Sequence, residues 1–150
     1  MDIRPVTSDA TWQHARGIRQ RVFVEEQACP PGEEWDEHDW GGPEADAHHV
    51  VGYEDGRPIA TARWRVAMWR SEPVAKLERF AVLPDYRGGG RGRHLVRHLM
   101  DEARRAGLTT LFLHAQAHLE PFYRDFGFET VGEPFQEAGI PHVRMVQRER

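Results

Sequence analysis

The clearest pattern of apolar and polar positions lies in the middle of the chain. An apolar run, Leu77–Pro84, predicts a strand, and a glycine-dense loop follows it up to Gly92. Beyond Gly92, apolar residues recur with the spacing of one face of an amphipathic helix, at Leu95, Val96, Leu99, Met100 and Ala103. The pattern therefore predicts a strand, a glycine loop and a helix, in that order.

The same reasoning predicts elements on both sides of this unit. We expect helices at Ala10–Gln20 and Leu119–Asp125, and strands at Asp2–Val6, His48–Tyr53, Pro58–Met68, Leu108–His114, Phe128–Gly132 and Val143–Gln147. Asp-Gly at 55–56 predicts a hairpin turn, a further turn is expected around Ser71–Pro73, and residues 28–46 form a long acidic loop. The order predicts an α/β fold with a mixed sheet of six or seven strands and helices on both faces.

Composition narrows the class of protein. A chain of 150 residues with 39% hydrophobic and 29% charged residues is typical of a single globular domain, here residues 1–150. No stretch reaches the roughly 18 apolar residues of a membrane span. The single cysteine, Cys29, excludes an internal disulfide, so we expect a cytoplasmic protein. The net charge of −4 argues against nucleic acid as the partner, although residues 87–105 carry many arginines.

The glycine loop predicts an anion site. Glycines at 88, 89, 90 and 92 let a ligand approach the backbone, and the first turn of the following helix has N–H groups without internal partners. The spacing fits neither the dinucleotide fingerprint nor the Walker motif. It does resemble the Gln/Arg-x-x-Gly-x-Gly/Ala motif of the GNAT superfamily of N-acyltransferases, here Arg87-x-x-Gly90-x-Gly92.

The resemblance extends over nearly the whole chain. Phe122-Tyr-Arg-Asp-Phe-Gly-Phe128 is similar to the family's F-Y-x-x-x-G-F, and several longer strings, among them Gly139-Ile-Pro-His142, resemble the ElaA-type subgroup. The resemblance implies a GNAT fold and an acetyl-CoA-dependent N-acetyltransferase. The acceptor would be a small-molecule or peptide amine, and the protein a monomer or homodimer. The alternative is a non-catalytic acyl-CoA-binding module that regulates a partner.

The resemblance also implies residues for the cofactor. Backbone groups around Phe80, Ala81 and Val82 would polarise the thioester, between two parallel strands that splay at Val82 and Ala115. The loop would bind the pyrophosphate, and the implied cofactor residues are completed by Arg87, Gly88, Gly89, Gly90, Arg91, Gly92, Gln116 and Tyr123. Tyr123 is the implied general acid; its alternative role is an aromatic residue packed in the core.

Glu78 departs from the family pattern, which has a small residue here. It is a candidate general base, or alternatively a structural partner of Arg63, Arg65 or Arg79. The acceptor pocket is expected to include Glu26, Gln27, His49 and His142. A metal site built from Asp36, His38, Asp39, His48 and His49 has no motif spacing to support it, so we expect no metal and a solvated acidic loop.

Overall fold

The computed structural model describes residues 1–148, and a seven-stranded mixed sheet organises them. The strands are β1 (Asp2–Pro5), β2 (His48–Glu54), β3 (Arg57–Trp69), β4 (Glu72–Val82), β5 (Thr110–Gln116), β6 (Glu129–Glu137) and β7 (Ile140–Arg148). The helices are α1 (Asp9–Arg19), α2 (Pro31–Glu34), α3 (Arg91–Arg105) and α4 (Glu120–Arg124). A π-helical segment at Gln20–Glu26 continues α1, and 3₁₀ turns occupy Gly42–Glu44, Pro84–Tyr86 and Ala117–Leu119. The predicted fold class and order of the main elements are confirmed; the predicted domain extends to residues 149 and 150, which lie outside the described part.

The strands are arranged in the order β1-β2-β3-β4-β5-β7-β6. Every neighbouring pair is antiparallel except β4 and β5, which are parallel because α3 crosses over between them. Their parallel pairing covers only three residue pairs, from Ala75–Leu111 to Leu77–Leu113. This short pairing places an opening in the middle of the sheet.

Helices cover both faces of the sheet, as the sequence predicts. On one face, Leu95 and Leu99 of α3 are fully buried against the sheet. On the other face, Ala15 and Ile18 of α1 pack in a second cluster with Val51. Burying each leucine contributes roughly 1.5–3 kcal/mol, so the apolar face of α3 stabilises the packing of the crossover helix against β3 and β4.

Two hairpin turns connect β2, β3 and β4. Asp55 and Gly56 both have positive φ, as a two-residue type I′ turn requires. Arg70 and Ser71 also have positive φ, so the second turn lies at these two residues. Its predicted position around Ser71–Pro73 was wrong by about one residue, and Pro73 belongs to β4 opposite Met68.

Within residues 1–148, no helix combines the length and the apolar character that a bilayer crossing demands.

Candidate active site

The separation of β4 from β5 opens a cleft of about 480 Å³. Leu77 and Leu113 form the last pair of the parallel ladder, and beyond them the two strands diverge. The predicted point of separation, at Val82 and Ala115, was therefore too late along both strands. The cleft is lined by apolar residues such as Phe80 and by many charged ones. Its position leaves the β5-facing edge of β4 without a strand partner beyond Leu77.

A β-bulge shapes this edge of β4. The register against β3 shifts between Arg63–Glu78 and Thr61–Ala81, so Arg79 and Phe80 oppose one residue of β3. Arg79 has φ of 59°, a left-handed conformation that costs a non-glycine residue about 1–2 kcal/mol. Such strain clusters at binding and catalytic sites, and here the bulge lies in the wall of the cleft.

The glycine loop closes against the N-terminus of α3. Gly88, Gly89 and Gly90 have φ of 88°, 63° and 80°, and Gly90 is the N-cap residue. No side chain caps this helix, and a Cβ atom at Gly88 or Gly90 would meet only open space. The loop therefore offers bare backbone and free N–H groups to an anion, which fits the pyrophosphate of coenzyme A.

The two arginines of the loop are already paired. Arg87 donates to both carboxylate oxygens of Glu26 at 2.6 Å and, through Nε, to the carbonyl of Val82 at 3.0 Å. Arg91 pairs with Glu54 at 2.6 Å. Glu26 was predicted for the acceptor pocket, yet it does not line the cleft and instead binds the glycine loop.

Two residues that the sequence assigned to different sites contact each other in the cleft lining. The side-chain amide of Gln116, predicted for the cofactor, donates to Oε1 of Gln27, predicted for the acceptor, at 3.2 Å. The contact joins β5 to the end of the π-helical segment. The residues predicted for the cofactor and those predicted for the acceptor therefore meet at this point of the cleft lining.

Tyr123 lines the cleft and also belongs to the core. Only 7% of its surface is exposed, and its ring stacks on Phe122 with a centroid separation of 5.1 Å. Phe80 lies 6.2 Å from it across the cleft wall. Burial raises the pKa of the Tyr123 hydroxyl above its ordinary value, so this group is protonated at neutral pH. The position is compatible with both the acid and the packing role.

Glu78 is held by three cations. Arg63 donates to its Oε2 from Nε at 2.7 Å, and Arg65 and Lys76 reach its Oε1 at 3.1 and 3.2 Å. Burial alone would raise the pKa of Glu78, but the charge of Arg63, followed by the other cations, lowers it to about 2. The pairing with Arg63 and Arg65 is the structural alternative stated above; a catalytic role for Glu78 stays a prediction, and so low a pKa makes the carboxylate a weak base.

The expectation of a solvated acidic loop at residues 28–46 was only partly right: Glu33, Glu37, Glu44 and Asp46 are exposed, but Glu34, Asp36 and Asp39 pair with arginines of the protein interior. Asp39 is 5% exposed and joins two buried arginines, accepting from Arg19 at 2.5 Å and from Arg63 at 2.8 Å. Arg19 also donates to Glu34, and Arg63 to Asp36. Burial would raise the pKa of Asp39, but the hydrogen bond and charge of Arg19, with the charge of Arg63, lower it. We call this set the arginine network: Arg19, Glu34, Asp36, Asp39, Arg63 and Glu78.

His49 lies beneath this network and not in the cleft, contrary to its predicted place in the acceptor pocket. It is 5% exposed, packs edge-on against Trp12, and its Nε2 lies 3.3 Å from the carbonyl oxygen of His38. Burial, followed by the charge of Arg19, lowers the pKa of His49 to about 4. Over residues 1–148 no group of three or more histidine, cysteine, aspartate or glutamate side chains is arranged to hold a metal ion.

Two histidines, His114 on β5 and His142 on β7, line the cleft. His142 lines it as predicted for the acceptor pocket, and its Nδ1 lies 2.7 Å from the carbonyl oxygen of Ile140. His114 lines it too, with Nδ1 3.0 Å from Oε1 of Glu137. Sequence reasoning missed His114 and Glu137, which are 23 residues apart and come together only through the β5-β7-β6 order.

Comparison with known proteins identifies the family. The family profile described as the acetyltransferase (GNAT) domain matches residues 13–148. The chain belongs to the GNAT acetyltransferase family. Members of this GNAT family transfer acyl groups from coenzyme A. Membership of the family therefore supports acyl transfer from coenzyme A as the activity of this chain.

Relatives and solved structures agree with this assignment. The chain is 35% identical over 131 residues to the uncharacterized N-acetyltransferase YjcF of Bacillus subtilis (strain 168), covering 87% of each. It is 33% identical to protein ElaA of Escherichia coli (strain K12), covering 87% of this chain and 82% of ElaA. An acyl-CoA N-acyltransferase structure from Pseudomonas aeruginosa superposes with a TM-score of 0.80 at 31% identity, covering 98% of this chain and 99% of the other. The resemblance to an ElaA-like GNAT protein is thereby confirmed.

Proposed function

We propose that this GNAT protein is an acetyl-CoA-dependent N-acetyltransferase that acts on a primary amine by direct attack in a ternary complex. The observation that carries the proposal is the cleft itself. It begins where β4 and β5 separate, and it is lined by Tyr123 as well as by a strongly polar wall. A sheet opened at its parallel pair provides both an unpaired backbone edge for a thioester and a pocket for an amine.

On the donor side, the glycine loop would bind the pyrophosphate through backbone N–H groups at the N-terminus of α3. Gly88 and Gly90 leave that surface free of side chains. Acetyl-CoA supplies the thioester that the amine attacks. Residues Phe80 to Val82 lie on the strand edge that has no partner in β5, so the backbone groups that they direct to this edge, other than the Val82 carbonyl bound by Arg87, would serve the acyl carbonyl and the pantetheine arm.

Tyr123 would protonate the departing thiolate as the general acid. A tyrosine hydroxyl is protonated at neutral pH and can therefore donate, and stacking on Phe122 holds the ring in one orientation. Core residues such as Leu77 and Leu113 also line the cleft, so the support for this role comes from the hydroxyl of Tyr123 and not from its position alone. The presence of this hydroxyl in the lining favours the enzyme over a non-catalytic acyl-CoA-binding module.

On the acceptor side, the wall of the cleft presents charges of both signs. Glu33 and Glu137 are acidic and His142 also belongs to the lining, while the basic Lys76 and Arg79 are paired with Glu78 and Glu34. Glu78 is neutralised by its own cations and contributes little free negative charge. We infer an amine acceptor that also carries a polar group, because charged side chains of both signs line the cleft.

The test is thiol release from acetyl-CoA in the presence of an amine panel: spermidine, tyramine, Nα-acetyl-lysine amide and a peptide with a free amino terminus. We expect thiol release that depends on one of these amines, together with a raised melting temperature in acetyl-CoA. A thermal shift without release with any amine would favour the binding module. Neither a shift nor release would overturn the proposed function.

A further inference from the structure

His114 and Glu137 form a pair whose geometry resembles an oriented base. Nδ1 of His114 lies 3.0 Å from Oε1 of Glu137, and the imidazole ring lies edge-on between Phe112 and Phe135. A carboxylate at Nδ1 favours the tautomer with the proton on that nitrogen, which leaves a lone pair on Nε2. Among the described residues, Nε2 of His114 has no hydrogen-bond partner.

The strand register places His114 at the start of the cleft. Leu77 and Leu113 are the last paired residues, so Glu78 and His114 are the first residues of the two diverging strands. Both line the cleft on the same face of the sheet as the arginine network. Glu78 is held by Arg63, Arg65 and Lys76. His114 therefore carries the available base at this position.

We propose that Nε2 of His114 accepts the proton of the acceptor amine and that Glu137 acts as the positioning residue. This assignment rests on the proposed function. The amine nitrogen forms a bond to the acyl carbon, the carbon–sulfur bond breaks, and the electron pair leaves on sulfur. His114 takes one proton of the ammonium group before the attack, giving an imidazolium next to the Glu137 carboxylate; after the attack the nitrogen loses a second proton to solvent, while the thiolate receives the proton of Tyr123. Solvent then returns a proton to Tyr123 and takes one from His114.

The charges around His114 come from three neighbouring strands. Glu137 lies on β6, and β7 contributes His142 and Arg144, the latter directly opposite His114 in the ladder. On β4, Lys76 and Glu78 line the same cleft. Glu137 is the group in direct hydrogen-bond contact, and His114 in turn lowers the pKa of that carboxylate. The pH dependence of the pair is therefore tested through Glu137.

The first experiment replaces His114 by glutamine and measures thiol release with the panel amine that the wild type uses best. We expect a rate about 10²–10⁴-fold lower near neutral pH, with the acetyl-CoA thermal shift retained. The loss should shrink as the pH approaches about 10, where a lysine-like amine loses its own proton. His98→Gln is the matched control, because His98 also pairs with a carboxylate, Glu102, at 3.0 Å but lies on α3. Equal rates in His114→Gln and the wild type would overturn the assignment.

The second experiment keeps the fold and removes one charge. Glu137→Gln should move the acid limb of the pH–rate profile to lower pH, because a neighbouring carboxylate favours the protonated imidazole. An acid limb that stays in place would contradict the positioning role. Long-range ¹H–¹⁵N spectra supply a readout that needs no acceptor: we expect the neutral His114 ring protonated at Nδ1. An Nε2–H tautomer would reject the role of His114 even if the wild-type enzyme acetylates an amine. If the wild-type protein acetylates none of the amines, that result contradicts the proposed function and not the tautomer assignment.

Discussion

Replacing Glu78 by glutamine tests whether this buried carboxylate acts in structure or in catalysis. The pKa of Glu78 falls from its ordinary 4.5 to about 2. At 1.36 kcal/mol per pKa unit, this depression corresponds to roughly 3 kcal/mol of folding free energy. Since removing one partner of a buried ion pair costs about 3–5 kcal/mol, we expect Glu78→Gln to lower the unfolding free energy by about 3 kcal/mol at pH 7. For a chain of this size, the melting temperature should fall by about 6–12 °C.

The sign of the pH dependence follows from the depressed pKa. The stabilisation by Glu78 is complete above the unfolded pKa of 4.5 and is lost as the pH falls towards 2. The stability difference between wild type and Glu78→Gln should therefore be constant above about pH 5.5 and shrink in acid. Denaturant unfolding at a series of pH values measures it.

A matched variant separates a specific effect from a general one. Glu72 lies on the same strand and pairs with Arg148 at 3.2 Å, but its side chain is 40% exposed, so Glu72→Gln should cost less than about 1 kcal/mol. Reaction rates show whether Glu78 also acts in catalysis. If its role is structural, the ratio of the Glu78→Gln rate to the wild-type rate should be constant across pH. A rate loss concentrated at low pH with unchanged stability would refute this reasoning and make Glu78 the base.

Three further variants test other parts of the site. Gly90→Leu should abolish the thermal shift with acetyl-CoA. The control is Gly139→Leu, because Gly139 has a similar φ and the same open space; this variant should lose stability but keep the shift. Equal shifts in the two variants would exclude the glycine loop as the binding site. Tyr123→Phe should bind acetyl-CoA normally and turn over about 10²–10⁴-fold more slowly, while Tyr53→Phe keeps its rate; normal turnover would leave Tyr123 a packing residue. His49→Gln should flatten the decline in stability between pH 6.5 and 4, because the depressed pKa of His49 makes the unfolded chain bind the extra proton in that window; an unchanged slope in urea titrations would contradict it.

The strand–loop–helix unit could be predicted because its determinants are local. Apolar spacing specifies which face of α3 is buried, and the glycines mark the loop whose backbone takes positive φ. The turn at Asp55–Gly56 was equally readable from two residues. Such features need no information from distant parts of the chain.

The arginine network could not be predicted in the same way. Arg63 follows a run of apolar residues in β3, and its partners Asp36 and Glu78 lie 27 and 15 residues away in the chain. The signal was present, since a charged residue in a buried strand requires a partner. Which acidic residues answer that requirement depends on how the loop folds over the sheet, and that arrangement is non-local.

The bulge in β4 likewise has no sequence signal of its own. Arg79 adopts positive φ without being glycine, asparagine or aspartate, the residues that usually mark this conformation. The resemblance nevertheless pointed to unpaired backbone nearby, at Phe80 to Val82. Its placement of the strand separation was too late because a pattern of residue types does not report where a ladder ends.

The arginine network also determines how an acceptor can enter. Swinging the loop of residues 28–46 outward would strip Arg19 of both its carboxylates and leave Arg63 with Glu78 alone, at a cost of several kcal/mol for the stranded Arg19 cation. The loop is therefore held against the sheet, and we expect the part of the cleft wall that it forms to stay in place. For the proposed transferase, acceptors would then be selected by the size and shape of a fixed wall, and a wider range of acceptors would require shorter side chains in the cleft lining.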